Sequence, residues 1–239
     1  MIETLFRKME RRDQLSEDER RHLEGLFDPE RRVPRGGAVI EPGEHPTRST
    51  LLLSGLCARF TTLHDGARQF TQIHLPGDFV DLHSLLMKQM DHGVLALTDC
   101  VVTSAPHAKL RRTTEEQPHL TRMLWLETVV DGSIHRQWLV TLGRQDALSR
   151  LAHLLCELGL RSEAAGLSGR EAFDLPLNQA ELSDFLGVTP VHFNRTLMSL
   201  RGLGLADWRS GKVEIRDWNA LVELGEFDPT YLRLQNEPV

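Results

Sequence analysis

The chain has 239 residues, of which 40% are hydrophobic and 26% are charged, a composition typical of soluble globular domains. Its length is enough for two modest domains, each with its own core. The formal net charge of −6 argues against a protein that coats nucleic acid non-specifically, because that mode of binding needs many cationic side chains facing phosphates. Binding at specific sites is not excluded, since the local distribution of charge decides it.

The first predicted elements are two short helices. Residues 2 to 9 place apolar side chains at helical spacing, and Ser16 to Glu19 form a capping box that opens the second helix. From residue 31 to 106, glycine-containing turns separate short segments rich in Leu, Val, Ile, Phe and Thr, which predicts a compact antiparallel β structure. Its clearest hairpin turn is predicted at Asp65-Gly66, between two strand-like segments.

A long helix is predicted from Pro118 to about residue 142, because an apolar stripe recurs at helical spacing. Interruptions at Glu127 and Gln137 favour a pairwise contact between two subunits over a long coiled coil. The alternative is a helix that covers its own β domain. The predicted dimer-interface residues are Leu120, Met123, Val130, Ile134 and Trp138.

A second helix is predicted from Asp146 to about Leu160, on the spacing of its leucines. The Ser, Gly and Ala content of residues 161–170 predicts a loop after it. The domain boundary is predicted near Gly143.

Residues 178 to 205 predict two short helices joined by a tight turn. Asn178 can cap the first helix, with Glu181 completing a capping box. Gly187 suits the left-handed residue that ends this helix. Thr189 then caps the second helix, which has Pro190 at its first position.

The second of these helices has one apolar and one polar face. Phe193, Leu197 and Leu200 are spaced to pack against the first helix. The opposite face contains Val191, His192, Arg195 and Ser199, with Asn194 near its edge. An outward arginine can bond bidentately to guanine O6 and N7, which predicts a DNA-recognition helix. The alternative is a helical hairpin whose Arg195 is a solvated surface charge, but residues 206–215 predict a following β-hairpin with a basic flank, as in a wing beside phosphates.

The chain resembles the Crp/Fnr family of bacterial transcription regulators over nearly its whole length. The matching segments, in the family's order and spacing, are GLCARFTTLHDGARQFTQIHLPGDFVDL, LGRQDALSRLAHLLCELGLR and LPLNQAELSDFLGVTPVHFNRTLMSLRGLGL. The resemblance implies an α+β fold with a cyclic-nucleotide-binding-like β roll in residues 1–117, a dimerisation helix in 118–143 and a winged helix-turn-helix domain in 144–239. It also implies a homodimer that binds a roughly palindromic site in double-stranded DNA, with RNA polymerase as a further candidate partner.

By this resemblance, Arg195 corresponds to the arginine of the family's recognition helix and is expected to contact a guanine. The expected DNA-binding residues are Gln179, Thr189, Pro190, Val191, His192, Asn194, Arg195 and Ser199. Many members carry a glutamate shortly before that arginine, but this chain has no carboxylate there that could accept from cytosine. We therefore expect an unusual half-site, with Val191 contacting a thymine methyl and His192 or Asn194 making polar contacts.

The resemblance also bears on the effector. Family members that bind cyclic nucleotides have Arg-Ser or Arg-Thr after a glycine-glutamate pair, whereas residues 77–81 and 91–96 here contain no arginine. Asp91 in that stretch would repel a cyclic phosphate, so we expect no dependence on cyclic AMP. An N-terminal iron–sulfur cluster is not expected, because residues 1 to 56 contain no cysteine.

No cofactor and no metal are therefore expected. The alternative is a sensor that depends on haem or another small ligand. Candidate axial ligands for haem are His45, His64, His74, His83 and His92.

Three further expectations concern compartment and chemistry. Residues 1 to 21 are interrupted by charge and no later segment is apolar for long enough to span a bilayer, so we expect a cytoplasmic protein without membrane contact. Cys57, Cys100 and Cys156 form no C-x-x-C pair, and Cys100 and Cys156 are expected to be inert packing residues. An enzyme is not expected, because P-loop, G-x-S-x-G, H-E-x-x-H and dinucleotide-binding motifs are absent from the sequence.

Overall fold

The computed structural model describes residues 2–64, 66 and 68–239, and it divides into two compact units. The first unit comprises residues up to 61, 72–132 and 233–239, and the second comprises 62–71 and 133–232. The division falls within the long helix, not at its end near Gly143. The predicted turn at Asp65-Gly66 lies partly outside the description, because Asp65 is not among the described residues.

The first unit begins with α1 (Glu3–Glu10) and α2 (Glu17–Glu24), as predicted. The Ser16 side chain accepts from the Glu19 backbone, and the Glu19 carboxylate accepts in return, which completes the expected capping box. The strands that follow are β1 (Arg31–Val33), β2 (Ala38–Ile40), β3 (Arg48–Ser54), β4 (Cys57–Thr62), β5 (Arg68–His74), β6 (Gly93–Ala96) and β7 (Cys100–Pro106). A 3-10 turn at Leu82–Leu86 lies between β5 and β6.

These strands form the predicted β structure. One sheet has the order β1, β7, β3 and the other has the order β2, β6, β4, β5. The β1–β7, β3–β7, β2–β6 and β4–β6 pairs are antiparallel. Apolar side chains from both sheets meet in one cluster, which we call the roll core: Val33, Val39, Ile40, Leu52, Cys57, Val80, Met90, Val94, Ala96, Cys100 and Val102.

Two helices follow the β roll: α3 (His107–Glu116) and the long helix α4 (Pro118–Arg144). A second apolar cluster joins α1 and α2 to the roll and to the first turns of α4, through residues such as Leu5, Phe6, Leu23, Leu51, Leu110, Leu120 and Met123. Glu127 of α4 is buried and forms ion pairs with Arg12 and with Lys8, the latter at 3.4 Å between Nζ and Oε2. The charge that interrupts the apolar stripe is therefore paired within the first unit.

The structure corrects the dimer-interface prediction. Leu120, Met123, Val130, Ile134 and Trp138 are all buried by the chain itself, each with at most 6% of its surface exposed. These side chains are therefore not available to a second subunit. The apolar stripe found in the sequence therefore faces the chain's own interior. Helical periodicity alone could not distinguish this alternative from a contact between two subunits.

A different set of apolar residues is exposed on α4. Trp125 and Leu139 are 69% and 74% exposed, and Val129 and Val140 are also exposed. Trp125, Val129 and Leu139 follow the alternating four- and three-residue spacing of a helix-pairing face, and Val140 is adjacent to Leu139; the other positions of this spacing are Gly132, Arg136 and Gly143. We call Trp125, Val129, Leu139 and Val140 the exposed α4 stripe.

The second unit contains the remaining part of α4 and a helical domain with a small sheet. Its elements are α5 (Ala147–Ala164), β8 (Ala172–Asp174), α6 (Gln179–Leu186), α7 (Pro190–Gly202), β9 (Ala206–Arg209), β10 (Lys212–Ile215) and α8 (Trp218–Leu224), with a 3-10 turn at Pro229–Leu232. The sheet has the antiparallel order β8, β10, β9. Strand β8 was not predicted.

The predicted loop at 161–170 begins too early. Helix α5 continues to Ala164 because Arg161, Ser162 and Ala164 are buried, and because the Arg161 guanidinium donates to the Glu157 carboxylate at 2.9 Å. Local composition favours a loop here, but burial of this turn overrides that preference.

Glu157 of α5 is a fully buried carboxylate in the second unit. Besides Arg161, it accepts from Trp138 Nε1 at 3.0 Å and from the Tyr231 hydroxyl at 2.7 Å. The Trp138 ring also makes an edge contact with Phe185 of α6, at 5.8 Å between ring centroids. Trp138 is thus an internal packing residue that links α4, α5 and α6. Among the described residues, none of the helices combines the length and apolar character needed to cross a bilayer.

Candidate DNA-binding site

Helix α6 forms as the sequence predicts. The Asn178 Oδ1 accepts from the Glu181 backbone N–H at 2.9 Å, and the Glu181 carboxylate accepts from the Asn178 N–H at 2.8 Å. The helix ends at Gly187, whose φ of 63° lies in the left-handed region that favours glycine. Gln179, at the first position of α6, is exposed.

Helix α7 follows after a turn of three residues, 187–189. The Thr189 hydroxyl accepts from the His192 backbone N–H at 3.3 Å, and Pro190 occupies the first helical position. Phe193, Leu197 and Leu200 are buried, as predicted. The Phe193 ring also contacts the Trp208 ring of β9, so α7 is fixed by both α6 and the small sheet.

The opposite face of α7 is open to solvent. The residues exposed there are Val191, His192, Asn194, Arg195, Met198 and Ser199, together with Thr189 and Pro190 at the start of the helix. Met198, which is 56% exposed, was not singled out from the sequence. All eight predicted DNA-binding residues are therefore solvent-exposed side chains of α6, α7 and the turn between them.

A surface cleft of about 260 Å³ lies between α7 and the first turn of α5. His192, Arg195 and Ser199 line it on one side. Asp146 lines the other side, where its carboxylate accepts from the backbone N–H groups of Leu148 and Ser149, both at 2.9 Å. The Asp146 carboxylate, which caps the first turn of α5, therefore places negative charge in the same cleft as Arg195.

The predicted wing is present as the β9–β10 hairpin. Its turn consists of Ser210 and Gly211, with φ of 51° and 76°, and two consecutive left-handed residues match the twist of a tight hairpin. Arg209 and Lys212 flank this turn and are exposed.

Arg201, unlike these exposed cations, is held by contacts within the second unit. Its Nη2 donates to the Trp208 carbonyl oxygen at 2.7 Å, and its Nε donates to the Asp207 carboxylate. The arginine therefore joins the end of α7 to the wing. This contact fixes the wing beside α7 and leaves Arg195, Arg209 and Lys212 as the exposed cations described on these two elements.

The β roll places the five candidate haem-binding histidines in different surroundings. His45 and His64 are exposed, and His74 is buried. The rings of His83 and His92 lie 5.2 Å apart between centroids. Burial and the nearby Arg59 lower the pKa of His83 to about 4. The described part of the chain contains no group of three or more His, Cys, Asp or Glu side chains arranged to hold a metal ion.

Arg59 of β4 is a residue that sequence reasoning missed. Its guanidinium lies 3.0 Å from the Asp131 carboxylate of α4 and donates to the Gln72 side chain at 3.0 Å and the Val80 carbonyl at 2.8 Å. This arginine links the roll to α4. The pairing is invisible in the sequence because its partners lie on separate elements.

The residues of the family's phosphate-binding stretch do not fit a cyclic phosphate. Asp78 is paired with Lys8 at 2.5 Å between Oδ1 and Nζ, and Asp81 is buried and accepts from the Thr50 N–H. Asp91 is exposed and bonded to His92 at 2.6 Å between Oδ1 and Nδ1. Arg59, the nearby cation, is already neutralised by Asp131. Of these three carboxylates Asp91 is exposed and Asp78 and Asp81 are buried, and none of them could pair with a phosphate as a cation would.

Two family models match separate parts of the chain. The cyclic nucleotide-binding domain matches residues 30–117, and the Crp-like helix-turn-helix domain matches residues 149–224. Curated relatives match across both domains. The chain belongs to the Crp/Fnr family.

Among the similar proteins, an anaerobic regulatory protein of Haemophilus influenzae is 24% identical over 220 residues, covering 92% of this chain and 85% of the relative. The nitrogen fixation regulation protein FixK of Bradyrhizobium diazoefficiens is 29% identical and covers 76% of each chain. The solved structure of FixK2 from Bradyrhizobium japonicum has a TM-score of 0.74 at 23% identity, covering 82% of this chain and 96% of that one. The structural match confirms the predicted fold.

Proposed function

We propose that this Crp/Fnr regulator binds a roughly palindromic site in double-stranded DNA as a homodimer, with α7 as the helix that enters the major groove. The observation that carries this proposal is the position of Arg195. Its neighbours Phe193 and Leu197 are buried and fix the helix, while Arg195 itself is exposed on the open face. A helix held in this way can present a guanidinium to base edges without losing its packing.

The open face of α7 supports a specific set of base contacts. Arg195 can donate two hydrogen bonds to guanine O6 and N7, a contact that is worth about 1–3 kcal/mol of discrimination. Val191 offers an apolar surface to a thymine methyl group, and His192 and Asn194 offer polar groups. Since the face has no carboxylate to accept from cytosine N4, the half-site should differ from those of members that carry a glutamate there.

The surrounding residues support contacts with the DNA backbone. Gln179, Thr189 and Pro190 lie at the beginnings of α6 and α7, where backbone N–H groups and the helix dipole favour phosphate. Arg209 and Lys212 on the wing supply cations beside them. These contacts would position α7 without conveying base sequence.

We assign the dimer contact to the exposed α4 stripe. Large apolar side chains that are 69% and 74% exposed, at Trp125 and Leu139, are unusual on the surface of a monomer. Burying them against the same stripe of a second subunit would give a symmetric contact. Two recognition helices could then enter successive major grooves about 34 Å apart.

We further propose that this regulator does not use a cyclic nucleotide as its effector. The support is that Asp78 is paired with Lys8, Asp81 is buried, Asp91 is exposed, and the Arg59 guanidinium is already paired with Asp131. The alternative function, a haem-dependent sensor, is tested by the absorption spectrum of the purified protein, in which a Soret band would indicate bound haem.

The DNA-binding proposal is tested by selection from a random duplex pool with purified protein. The wild type should enrich a palindrome, and Arg195→Ala should lose discrimination at the guanine position by about 1–3 kcal/mol while keeping its melting temperature. Arg112→Ala removes an arginine that is similarly exposed, on α3, and serves as the matched control.

Enrichment of the same site by the Arg195 variant and the wild type would contradict the assigned contact. Recovery of the half-site of glutamate-bearing members would contradict the expected difference in sequence. A melting temperature that falls together with affinity would show that Arg195 has a packing role instead.

A further inference from the structure

Two of the three cysteines meet in the roll core. Cys57 is the first residue of β4 and Cys100 is the first residue of β7, 43 positions later in the chain. Their sulfur atoms lie 3.9 Å apart, and both side chains are buried, with 0% and 2% of their surface exposed. The sequence suggested an inert Cys100 because apolar residues lie near it along the chain, and the remote partner is visible only in the structure.

The backbone around the pair holds the two sulfur atoms together. The Leu97 N–H donates to the Leu56 carbonyl at 2.8 Å, and the Leu56 N–H donates to the Thr98 hydroxyl at 2.9 Å. Gly55 has a φ of 88°, and a Cβ at this position would lie 2.8 Å from Cys100 Sγ. Only glycine permits this close approach, so the turn before β4 is built against the Cys100 sulfur.

The two thiols differ in reactivity. The hydrogen bond from the Cys57 thiol lowers the pKa of Cys100 to about 7, and the same bond together with burial raises the pKa of Cys57. Because the thiolate is the nucleophile, Cys100 is the sulfur that an oxidant would meet first. Its neighbour Asp99 is exposed, whereas the Cys100 side chain is 2% exposed.

We propose that Cys57 and Cys100 form a redox-active dithiol that a peroxide converts to an intramolecular disulfide. The Cys100 thiolate attacks one oxygen of hydrogen peroxide; the O–O bond breaks, and Cys100 becomes a sulfenic acid while the other oxygen leaves as water after taking up a proton. The Cys57 sulfur then attacks the sulfenic sulfur, forming the S–S bond and releasing the second water. In sum, two thiols and one peroxide give one disulfide and two waters.

The geometry requires only a small movement. A disulfide has its sulfur atoms about 2.05 Å apart, so the two side chains must approach by roughly 2 Å. The bond would join β4 of one sheet to β7 of the other across the roll core. Arg59 is two residues after Cys57 on the same strand, and it pairs with Asp131 of α4. The proposed disulfide therefore constrains the strand that is attached to the long helix.

The test counts free thiols in the full-length protein before and after peroxide. Reduced protein is treated with hydrogen peroxide, denatured, alkylated and weighed by mass spectrometry. We expect the number of alkylated cysteines to fall from three to one and to return to three after reduction. Tryptic digestion should link the peptide of residues 49–59 to that of residues 89–109, because each contains one cysteine of the pair.

Cys156 provides the matched control. It is buried in α5, where burial raises its pKa to about 12, and it should stay alkylated in oxidised wild-type protein. Cys156→Ser should still form the linked peptides, and Cys57→Ser should not. Three alkylated thiols after peroxide would overturn the proposal. So would a Cys100 oxidised only to its sulfinic acid, or a linkage found only between two chains.

Discussion

His119, at the beginning of α4, lies between two carboxylates of the first unit. Its Nε2 is 3.0 Å from the Asp13 carboxylate and its Nδ1 is 2.6 Å from the Glu19 carboxylate. The hydrogen bonds with Asp13 and Glu19 raise the pKa of His119, and the bond with His119 lowers the pKa of Asp13. This contact ties α2 and the loop before it to α4.

The direction of these pKa shifts predicts how the free energy of unfolding depends on pH. A histidine whose pKa is raised by folding stabilises the protein below its unfolded pKa, near 6.5, and that contribution is lost as pH rises through the folded value. We expect His119→Gln to lower the free energy of unfolding by roughly 0.5–1 kcal/mol at pH 6 and by less at pH 9. Denaturant unfolding at both pH values measures this difference.

His192→Gln is the control for this measurement, because His192 is an exposed histidine of α7. An equal effect of His119→Gln at pH 6 and pH 9 would contradict a charged His119 between the two carboxylates. In the acid range the stabilising contribution of the His119–Asp13 contact should also fall. The folded pKa of Asp13 is lowered, and its contribution is lost as the carboxylate becomes protonated.

At the scale of elements, α4 has two apolar faces with different roles. One face is covered by the chain itself and includes Trp138, whose indole donates to Glu157. The other is the exposed α4 stripe. We expect Leu139→Glu to lower the affinity of dimerisation by at least tenfold and to weaken binding to a palindrome, because it places a charge in the proposed contact. Light scattering measures the mass in solution.

Leu86→Glu is the matched change, since Leu86 is 85% exposed on the 3-10 turn of the first unit and lies outside the stripe. It should leave the mass unchanged. A Leu139→Glu protein that stays dimeric at the same concentration would exclude this stripe from the interface. Ile134 and Trp138 are unsuitable for this test, because charges at these buried positions would unfold the second unit.

Local signals were sufficient to predict the helix-turn-helix. Neighbours within four residues determine its caps at Asn178 and Thr189 and its left-handed Gly187. These features can therefore be predicted from the sequence alone. The face of α4 was mispredicted because helical periodicity identifies an apolar stripe but not what covers it. The Arg59–Asp131 and Cys57–Cys100 contacts depend on which strands become neighbours, and no local pattern encodes that.

At the scale of the whole molecule, the effector proposal predicts a negative result. Cyclic AMP at about 1 mM should leave the melting temperature unchanged, because the carboxylates of residues 78, 81 and 91 offer no site for its phosphate. A ligand present at about a hundred times its Kd would add about 2.7 kcal/mol of stability, which a thermal shift would detect easily. A clear increase in melting temperature with cyclic AMP would contradict this proposal.

The charges of the wing also predict how the affinity for DNA should depend on salt concentration. Arg209 lies 3.6 Å from the Asp207 carboxylate, which is already bonded to Arg201, so the wing presents its cations next to a compensating acid. Few phosphates would then be neutralised per subunit, and few counterions released. Each contact contributes about 0.9 to the slope of log affinity against log salt, so Arg209→Ala should reduce that slope by about 2 in a dimer.

An unchanged slope in the Arg209 variant, measured by titrating potassium chloride, would remove the wing from the DNA contact. The expected shallow slope has a consequence for the cell. A regulator with net charge −6 and a small cationic surface would spend little time on random DNA. Its occupancy of a promoter would therefore depend on base contacts and on dimer concentration more than on electrostatic attraction to the chromosome.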